Sequence, residues 1–152
     1  MCAFYLEKRR IDLEKRILDY LFDLAKKSID EDDFPVSAVV LDEDGTIIGE
    51  GYNCRKNSHK TTDHAEIIAI ENANKCVGNW NLQNKCMVVT LEPCDMCKSV
   101  IKEARLSKVY YLVPRYSYKK QYQGTTFNYL ETEDIKIDEY KKEIKNFFKN
   151  KR

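Results

Sequence analysis

Two short motifs constrain the fold of this 152-residue chain more than any other feature. The first is His64-Ala65-Glu66, and the second, further along the chain, is Pro93-Cys94-Asp95-Met96-Cys97. One imidazole and two thiols are three potential zinc ligands, and three protein ligands leave the fourth tetrahedral position open, as a catalytic zinc site requires. A fold that uses these ligands must bring both motifs to one point.

The residue types within the motifs suit hydrolytic chemistry. Reactions of a metal-activated water need a proton carrier, and Glu66 follows His64 by two residues. Cys94 and Cys97 are three residues apart, which places their side chains on one face of a helix. The first turn of a helix also lowers the pKa of a thiol and so favours thiolate ligands. His64 and Glu66 converge only if the site wraps the start of their helix.

Each motif also has a purely structural interpretation. Asp63 and Glu66 fit a capping box, with Asp63 as the N-cap residue. Pro93 fits the first position of a helix, where proline is tolerated. A lone Cys-x-x-Cys pair could be redox-active or half of a structural zinc knuckle, but the sequence holds no second such pair. The combination of both motifs, each at a predicted helix start, favours a catalytic zinc site.

Composition indicates a single globular domain over residues 1–152. Hydrophobic residues make up 43% and charged residues 34%, and no apolar run approaches the roughly 18 residues of a membrane span. The first residues lack the basic-then-apolar layout of a signal peptide, so we expect a cytoplasmic protein with no membrane partner. The remaining cysteines have no metal-ligand spacing and are interpreted as ordinary thiols: Cys2, Cys54, Cys76 and Cys86.

The net charge is only +1, but basic residues are concentrated in the second half of the chain. Residues 98–122 contain seven basic side chains and one acidic, and residues 136–152 contain seven basic and three acidic. Tyrosines are interleaved with the first of these segments, a pattern that fits a polyanion with stackable bases. A lysine-rich solvated face is an equally good interpretation of the charge alone.

Hydrophobic periodicity predicts alternating helices and strands. The predicted helices are 6–28, 63–74, 95–104 and 139–151, and the predicted strands are 36–41, 46–53, 85–91 and 108–113. Residues 54–62 are predicted to form a polar loop and residues 114–129 an irregular segment. This order predicts a mixed sheet covered by helices, an α/β domain. Ligand sites in such sheets favour the carboxyl ends of strands.

Beyond the two motifs, the chain resembles the cytidine deaminase-like superfamily, of which H-x-E…P-C-x-x-C is a signature. Within it the chain is similar to bacterial tRNA-specific adenosine deaminases, from about Phe34 to Lys151. The resemblance is carried by Pro35 to Val39, Gly49 to Asn53, His64 to Glu71, Asn79 to Leu82, Val89 to Cys97 and Asn146 to Arg152. The Asn-Trp-x-Leu and Leu-Glu-Pro-Cys-x-Met-Cys stretches and the Phe-Phe pair near the end point to the tRNA branch.

This resemblance implies a three-layer α/β fold, in which helices flank a central mixed five-stranded sheet. It implies one zinc ion per subunit and a carboxylate that carries protons, as well as two groups that contact the nucleoside. By position these are His64, Cys94 and Cys97 for zinc, Glu66 for proton transfer, and Asn53 and the backbone N–H of Ala65 for the nucleoside.

The implied reaction is hydrolytic deamination of adenosine to inosine at the wobble position of a tRNA anticodon loop, carried out by a homodimer. The alternative is a deaminase of a free base or nucleotide, such as cytosine, guanine or dCMP. A third hypothesis is a zinc-stabilised RNA-binding subunit without catalysis. Glu66 argues against that hypothesis, because a purely structural zinc site needs no carboxylate there.

Three features depart from the family pattern. Ser37 stands where glycine is usual, beside the nucleoside pocket. The run Leu112-Val113-Pro114-Arg115 replaces Gly-Ala followed by Arg-Asp or Lys-Asn, and residues 119–126 replace a glycine- and alanine-rich stretch. Because the family run at Leu112 to Arg115 is expected to touch RNA, the altered loop after Val113 motivates the free-base alternative.

Overall fold

The computed structural model describes residues 7–115, 125–132 and 134–150. Its elements, in chain order, are α1 (Glu7–Asp30), β1 (Ser37–Leu41), β2 (Ile47–Tyr52), α2 (Arg55–Ser58), α3 (Ala65–Val77), β3 (Cys86–Leu91), α4 (Asp95–Glu103), β4 (Lys108–Val113), β5 (Thr126–Tyr129) and α5 (Ile135–Lys149). The predicted alternation of helices and strands is confirmed. None of the helices in the described ranges has both the length and the apolar character needed to cross a membrane.

The five strands form one mixed sheet in the order β2-β1-β3-β4-β5. β1 pairs antiparallel with β2 and with β3, whereas β3 with β4 and β4 with β5 are parallel. The start of β1 and the carboxyl ends of the other four strands therefore lie together at one edge, the upper edge. The expected central mixed sheet of five strands is confirmed.

Alternation along the strands separates two layers of helices. Ala38 and Val40 pack in the cluster formed with α3 and α4, whereas Val39 and Leu41 pack against α1. The second layer is completed by α5, which joins α1 and Leu112 of β4 in a third cluster. Because both faces of β1 are covered, all five of its residues are buried.

Close contact between β2 and α3 depends on two glycines. A Cβ on Gly49 would lie 2.3 Å from the carbonyl oxygen of Ala69, and a Cβ on Gly51 would lie 2.3 Å from that of Ala65. Only glycine lets the helix backbone come so near the strand. Since Ala65 is the first residue of α3, Gly51 fixes where that helix begins.

Two segments differ from the sequence prediction. Residues 55–58 form the short helix α2 inside the predicted polar loop. The segment 114–129, predicted to be irregular, contains β5. Four residues are too few for a periodic signal, and the strand is defined by its parallel pairing with β4. Residues 116–124 of that segment lie outside the described residues.

The cysteine interpretation holds in part. Cys54 and Cys76 are free thiols, as predicted. Cys86 is disulfide-bonded, so the ordinary-thiol prediction is wrong there. Cys2 lies outside the described residues. Disulfide pairing depends on tertiary proximity, which local spacing in the sequence does not report.

Two departures from the family pattern lie on the α1 and α5 side of the sheet. Ser37 is fully buried, and its Oγ donates a hydrogen bond to the carbonyl oxygen of Leu21 in α1, at 2.6 Å. Leu112 is also fully buried and packs in the cluster that includes Tyr140 of α5. These two side chains therefore contact the helices on the face of the sheet opposite α3.

Substituting Gly49 tests the contact between β2 and α3. Gly49→Ala should destabilise the protein toward the upper end of the range of about 1–3 kcal/mol found for overpacked cores, because the new methyl group meets backbone atoms. The free energy of unfolding from urea titration measures this change.

Gly78→Ala serves as the control for backbone strain. Gly78 has a φ of +66° and nothing within 4 Å of its would-be Cβ, so only the left-handed conformation opposes alanine, at a cost of roughly 1 kcal/mol. If Gly49→Ala costs less than Gly78→Ala, the proposed close contact is wrong.

Candidate active site

The two motifs lie at the N-termini of α3 and α4, at the upper edge of the sheet. His64 is the N-cap residue of α3 and Cys94 that of α4, and Cys97 is in the first turn of α4. Nδ1 of His64 lies 3.8 Å from Sγ of Cys94 and 3.5 Å from Sγ of Cys97. The fold thus brings the three predicted ligand atoms within 4.8 Å of one another.

These separations fit zinc. Zn–S distances near 2.3 Å and Zn–N distances near 2.05 Å in a tetrahedron separate a nitrogen from a sulfur by roughly 3.6 Å. The observed values of 3.5 and 3.8 Å lie on either side of that length. One nitrogen and two sulfurs are a donor set that suits zinc, and three ligands leave one coordination position for a ligand that is not protein.

The interaction between Cys94 and Cys97 shifts the pKa values of the two thiols in opposite directions. The hydrogen bond from Cys97 holds the pKa of Cys94 at about 3, and the neighbouring His64 acts in the same direction against the effect of burial. The bond with Cys94 and burial both raise the pKa of Cys97 well above the usual range. The lowered pKa favours the thiolate form of Cys94, and so does its position at a helix N-terminus, where negative charge is stabilised.

Glu66 is a buried carboxyl beside the three ligands, with only 3% of its surface exposed. Burial is the main cause that raises its pKa, and the negative charge of Cys94 adds to it, whereas its own backbone N–H and His64 oppose the rise. A carboxyl whose pKa is raised toward neutrality is suited to taking up and releasing a proton.

The structural alternatives for the two motifs are not borne out. The N-cap residue of α3 is His64 rather than Asp63, and no side chain caps that helix. Glu66 therefore has no capping-box role. Pro93 precedes the N-cap residue Cys94 and does not occupy the first helical position.

Asn53 follows the end of β2 and borders the site. Its Oδ1 accepts a hydrogen bond from the backbone N–H of Ala65 at 2.9 Å, and its own backbone N–H donates to Val36 at 3.0 Å. The family resemblance implies that the Ala65 N–H meets the base, whereas here that N–H is used to orient Asn53. Nδ2 of Asn53 donates no hydrogen bond within the described part of the chain.

A cleft of about 1170 Å³ opens at the upper edge, and His64, Glu66 and Asn53 are among the residues that line it. Six basic side chains line it and are named here the cationic rim: Arg55, Lys56, Lys60, Arg115, Lys141 and Lys145. Three phenylalanines also line it, with ring centroids 5.1 to 5.8 Å apart, and are named the aromatic cluster: Phe34, Phe147 and Phe148. One part of its wall comes from α2 and the residues after it, and another part comes from α5.

Glu92 organises a polar cluster that sequence reasoning did not identify. Its Oε1 accepts a hydrogen bond from Nζ of Lys98 at 3.0 Å, and its Oε2 accepts one from the backbone N–H of Arg115 at 3.0 Å. Nε of Arg115 donates to the Glu92 carbonyl oxygen at 3.1 Å. Glu92 thereby joins the end of β4 to the segment that carries Cys94. The only sequence signal was the position of Glu92 next to the cysteine motif.

The described part of the basic segment, residues 98–115, is not one solvated face. Lys98 is nearly buried, and its Nζ lies over the ring of Phe127 at 5.5 Å from the centroid as well as on Glu92. Arg115 reaches the cleft. The tyrosines and lysines of residues 116–122 lie outside the described residues.

Asp33 is a second group that the sequence analysis did not identify. Its side chain is 2% exposed. Its carboxylate accepts hydrogen bonds from the backbone N–H groups of Phe34, at 2.8 Å, and Lys56, at 3.1 Å, and lies 3.5 Å from the Arg55 guanidinium. Asp33 thus connects Phe34 of the aromatic cluster to Arg55 and Lys56 of the cationic rim.

Comparison with known proteins agrees with this geometry. Residues 12–113 match the family described as the cytidine and deoxycytidylate deaminase zinc-binding region. The chain therefore belongs to this family of zinc-binding deaminases.

Within that class, the chain is similar to proteins of two substrate types. It is 31% identical to the tRNA-specific adenosine deaminase of Haemophilus influenzae, over 95% of this chain and 88% of the relative. It matches a structure from a study of A-to-I editing by tRNA:A34 deaminases with 31% identity and a TM-score of 0.64, over 66% of this chain and 72% of the other. It also matches the guanine deaminase of Bacillus subtilis with 33% identity and a TM-score of 0.61, over 66% and 64%.

The buried Asp33 should make stability depend on pH. Burial raises its pKa, but the N–H groups of Lys56 and Phe34 and the charge of Arg55 outweigh burial, so the net pKa lies below the ordinary 3.8. A carboxyl whose pKa is lower in the folded state than in the unfolded state stabilises the folded protein. This stabilisation is fully present above the unfolded-state pKa. That contribution is lost as the pH falls through the folded-state value.

Urea unfolding from about pH 7 down to about pH 3 measures this dependence. The stability difference between the wild type and Asp33→Asn should shrink as the pH falls. Asp23→Asn, at an exposed site paired with Lys26, is the control and should show no such trend. A difference for Asp33→Asn that is constant with pH contradicts the assignment.

Removing one zinc ligand should cost both metal and stability, because metal affinity contributes to folding free energy. Cys94→Ser should lower the zinc content from one ion per chain toward zero and lower the thermal unfolding midpoint. Metal analysis by mass spectrometry and thermal unfolding measure the two effects. Cys76→Ser, at an exposed thiol, is the matched control. Retention of a full zinc equivalent in Cys94→Ser would remove this residue from the ligand set.

Proposed function

We propose that this protein hydrolytically deaminates adenosine to inosine at the wobble position of a tRNA anticodon loop. The observation that carries this proposal is a zinc-type donor set beside the buried carboxyl of Glu66, at the base of a cleft with a cationic rim. The similarity to tRNA-specific adenosine deaminases over nearly the whole chain supports the choice of substrate.

His64, Cys94 and Cys97 would hold the zinc ion. When bound there, zinc supplies a Lewis acid that lowers the pKa of a water molecule toward neutrality. The remaining chemistry falls to groups of the chain. Hydrolysis of the amino group of adenine adds a hydroxyl to C6, protonates a ring nitrogen and releases ammonia.

Glu66 is the group that moves these protons. Its carboxylate takes a proton from the attacking water and delivers it to the ring nitrogen. It then takes the proton of the new hydroxyl on C6 and passes it to the amino group, which leaves as ammonia. The burial that raises its pKa supports this role, since the carboxyl must be able to hold a proton between the two transfers. Asn53, oriented by the Ala65 N–H, presents its Nδ2 to an acceptor on the nucleoside.

The shape and charge of the cleft favour RNA over a free base. At about 1170 Å³ the cleft exceeds the upper part of the range of roughly 300–1,000 Å³ that holds whole drug-sized ligands, so a single base leaves most of it empty. Three exposed lysines of the rim, Lys60, Lys141 and Lys145, have no ionic partner among the described residues and suit phosphates. The aromatic cluster offers rings for unpaired bases next to the target.

We also propose a cytoplasmic homodimer. A tRNA substrate places the activity in the compartment that holds tRNA. An apolar patch suited to self-association lies near the end of α3, where Val77 is 37% exposed and Trp80 60% exposed. The guanidinium of Arg105 lies over the Trp80 ring, 5.3 Å from the centroid.

The proposal is tested with the zinc-loaded protein and a synthetic anticodon stem-loop that carries adenosine at the wobble position. Inosine, read by mass spectrometry, is the expected product. A DNA loop, cytidine, dCMP and guanine are assayed in parallel. Turnover of one of the small molecules with no inosine in RNA would overturn the RNA assignment and favour the free-base alternative.

Substituting Glu66 tests the proton carrier. Glu66→Gln should keep the zinc ion and the fold but lower kcat by about 10²–10⁴-fold, because the amide cannot carry a proton. Glu71→Gln, on the exposed face of the same helix, is the matched control and should retain activity. Full activity in Glu66→Gln would refute the assigned role, and tight RNA binding without any turnover in the wild type would favour a non-catalytic subunit.

A further inference from the structure

α5 faces the cleft on one side and the core on the other. Its cleft side carries two lysines of the cationic rim and two rings of the aromatic cluster: Lys141, Lys145, Phe147 and Phe148. Its core side carries Ile137 and Tyr140, which pack with Phe22 of α1 and Leu112 of β4. The orientation of α5 therefore determines where one wall of the cleft stands.

Tyr140 makes the buried polar contacts of this helix. Its side chain is 1% exposed, and its hydroxyl donates a hydrogen bond to the carbonyl oxygen of Pro35 at 2.6 Å. The same hydroxyl lies 3.0 Å from Oγ1 of Thr90, which accepts a hydrogen bond from the backbone N–H of Ser37 at 3.1 Å. A chain of hydrogen bonds thus runs from Ser37 through Thr90 and Tyr140 to Pro35.

Strand alternation explains why these groups meet. Ser37 and Thr90 share a face of the sheet with Val39 and Val88, and that face is covered by α1 and α5. Position 37 is one of the departures from the family pattern noted above, as is Leu112, which packs beside Tyr140.

The hydroxyl of Tyr140 contacts the two segments that lead into the rest of the cleft. Pro35 directly follows Phe34 of the aromatic cluster. Thr90 precedes Glu92, which holds Arg115, and the cysteine motif follows in the same segment. One side chain thereby links α5 to both of these segments.

The other contacts of α5 are less directional. The apolar side chains of the core cluster attract without fixing an angle. The ion pair of Lys136 with Asp19 is half-exposed, which makes it a weak constraint. Hydrogen bonds prefer a narrow range of lengths and angles, so the Tyr140 hydroxyl is suited to setting the rotation and register of the helix.

We propose that Tyr140 is a positioning residue for the RNA substrate, which holds the lysines and phenylalanines of α5 at the cleft. This inference rests on the proposed function. Tyr140 does not touch the reacting atoms, so it acts on the binding of the loop and leaves the chemical step unchanged.

Tyr140→Phe keeps the ring and its packing on Phe22 and removes only the hydroxyl. With the anticodon stem-loop as substrate, KM should rise about 10-fold while kcat stays within about 2-fold and zinc content is unchanged. A KM and kcat both equal to those of the wild type overturn the proposal, as does a fall in kcat at constant KM.

Ser37→Ala is the control for a loss of stability alone. It removes the buried bond from Ser37 Oγ to Leu21 and keeps the backbone N–H that Thr90 uses. It should lower the unfolding midpoint and leave KM unchanged. If Ser37→Ala raises KM as much as Tyr140→Phe does, the effect is general destabilisation, and the proposal fails.

Two further measurements keep the test decisive. Thr90→Val removes the link from the other side and should raise KM in the same way if Tyr140→Phe does not fold. Hydrogen exchange of the α5 backbone amides needs no substrate and should be faster in either variant than in Ser37→Ala. If the wild type does not edit the stem-loop, the proposed function fails, whereas unchanged α5 exchange in both variants refutes the positioning role by itself.

Discussion

The close approach of α3 to β2 is the constraint on which the rest of the site depends. Without side chains at Gly49 and Gly51, the first turn of α3 lies directly on the strand, and His64 and Glu66 reach the upper edge of the sheet. The parallel pairing of β3 with β4 brings the start of α4 to the same edge, with Cys94 at its N-cap. Two helix N-termini then supply three ligand atoms at zinc distances, and the buried carboxyl takes its place because it follows the histidine within the first turn.

Much of this arrangement could be predicted from the sequence, because its signals are local. The spacing of His64, Cys94 and Cys97 indicated the metal site, and hydrophobic periodicity indicated four of the five strands. The rest depends on contacts between distant segments. β5 is only four residues long and is defined by its pairing with β4. Asp33 and Glu92 accept hydrogen bonds from backbone groups 23 residues away, and nothing in their neighbouring residues indicates a buried acceptor.

Departures from the family pattern have a different meaning in three dimensions than along the chain. From the resemblance, Ser37 is expected beside the nucleoside pocket and the run that begins at Leu112 is expected to contact RNA. In the fold, their side chains point to the layer of α1 and α5. Successive side chains of a strand point to opposite faces of the sheet. The neighbours of Ser37 and Leu112 therefore point to the α3 side, and these two side chains point away from it. Leu112 packs with Tyr140 of α5, whereas the Ser37 hydroxyl bonds α1, and the zinc-type donor set lies on the other face of the sheet.

The rim of the cleft has a thermodynamic consequence because its lysines come from separate parts of the fold. Lys60 precedes α3, whereas Lys141 and Lys145 lie on α5, which is held to the sheet from the opposite layer. An RNA loop that spans both walls cross-links them for as long as it is bound. Thermodynamic linkage then acts in both directions. A change that holds α5 more firmly on the sheet strengthens RNA binding, and bound RNA reduces fraying of α5 by the same coupling free energy. The substrate is thereby a temporary part of the architecture that recognises it.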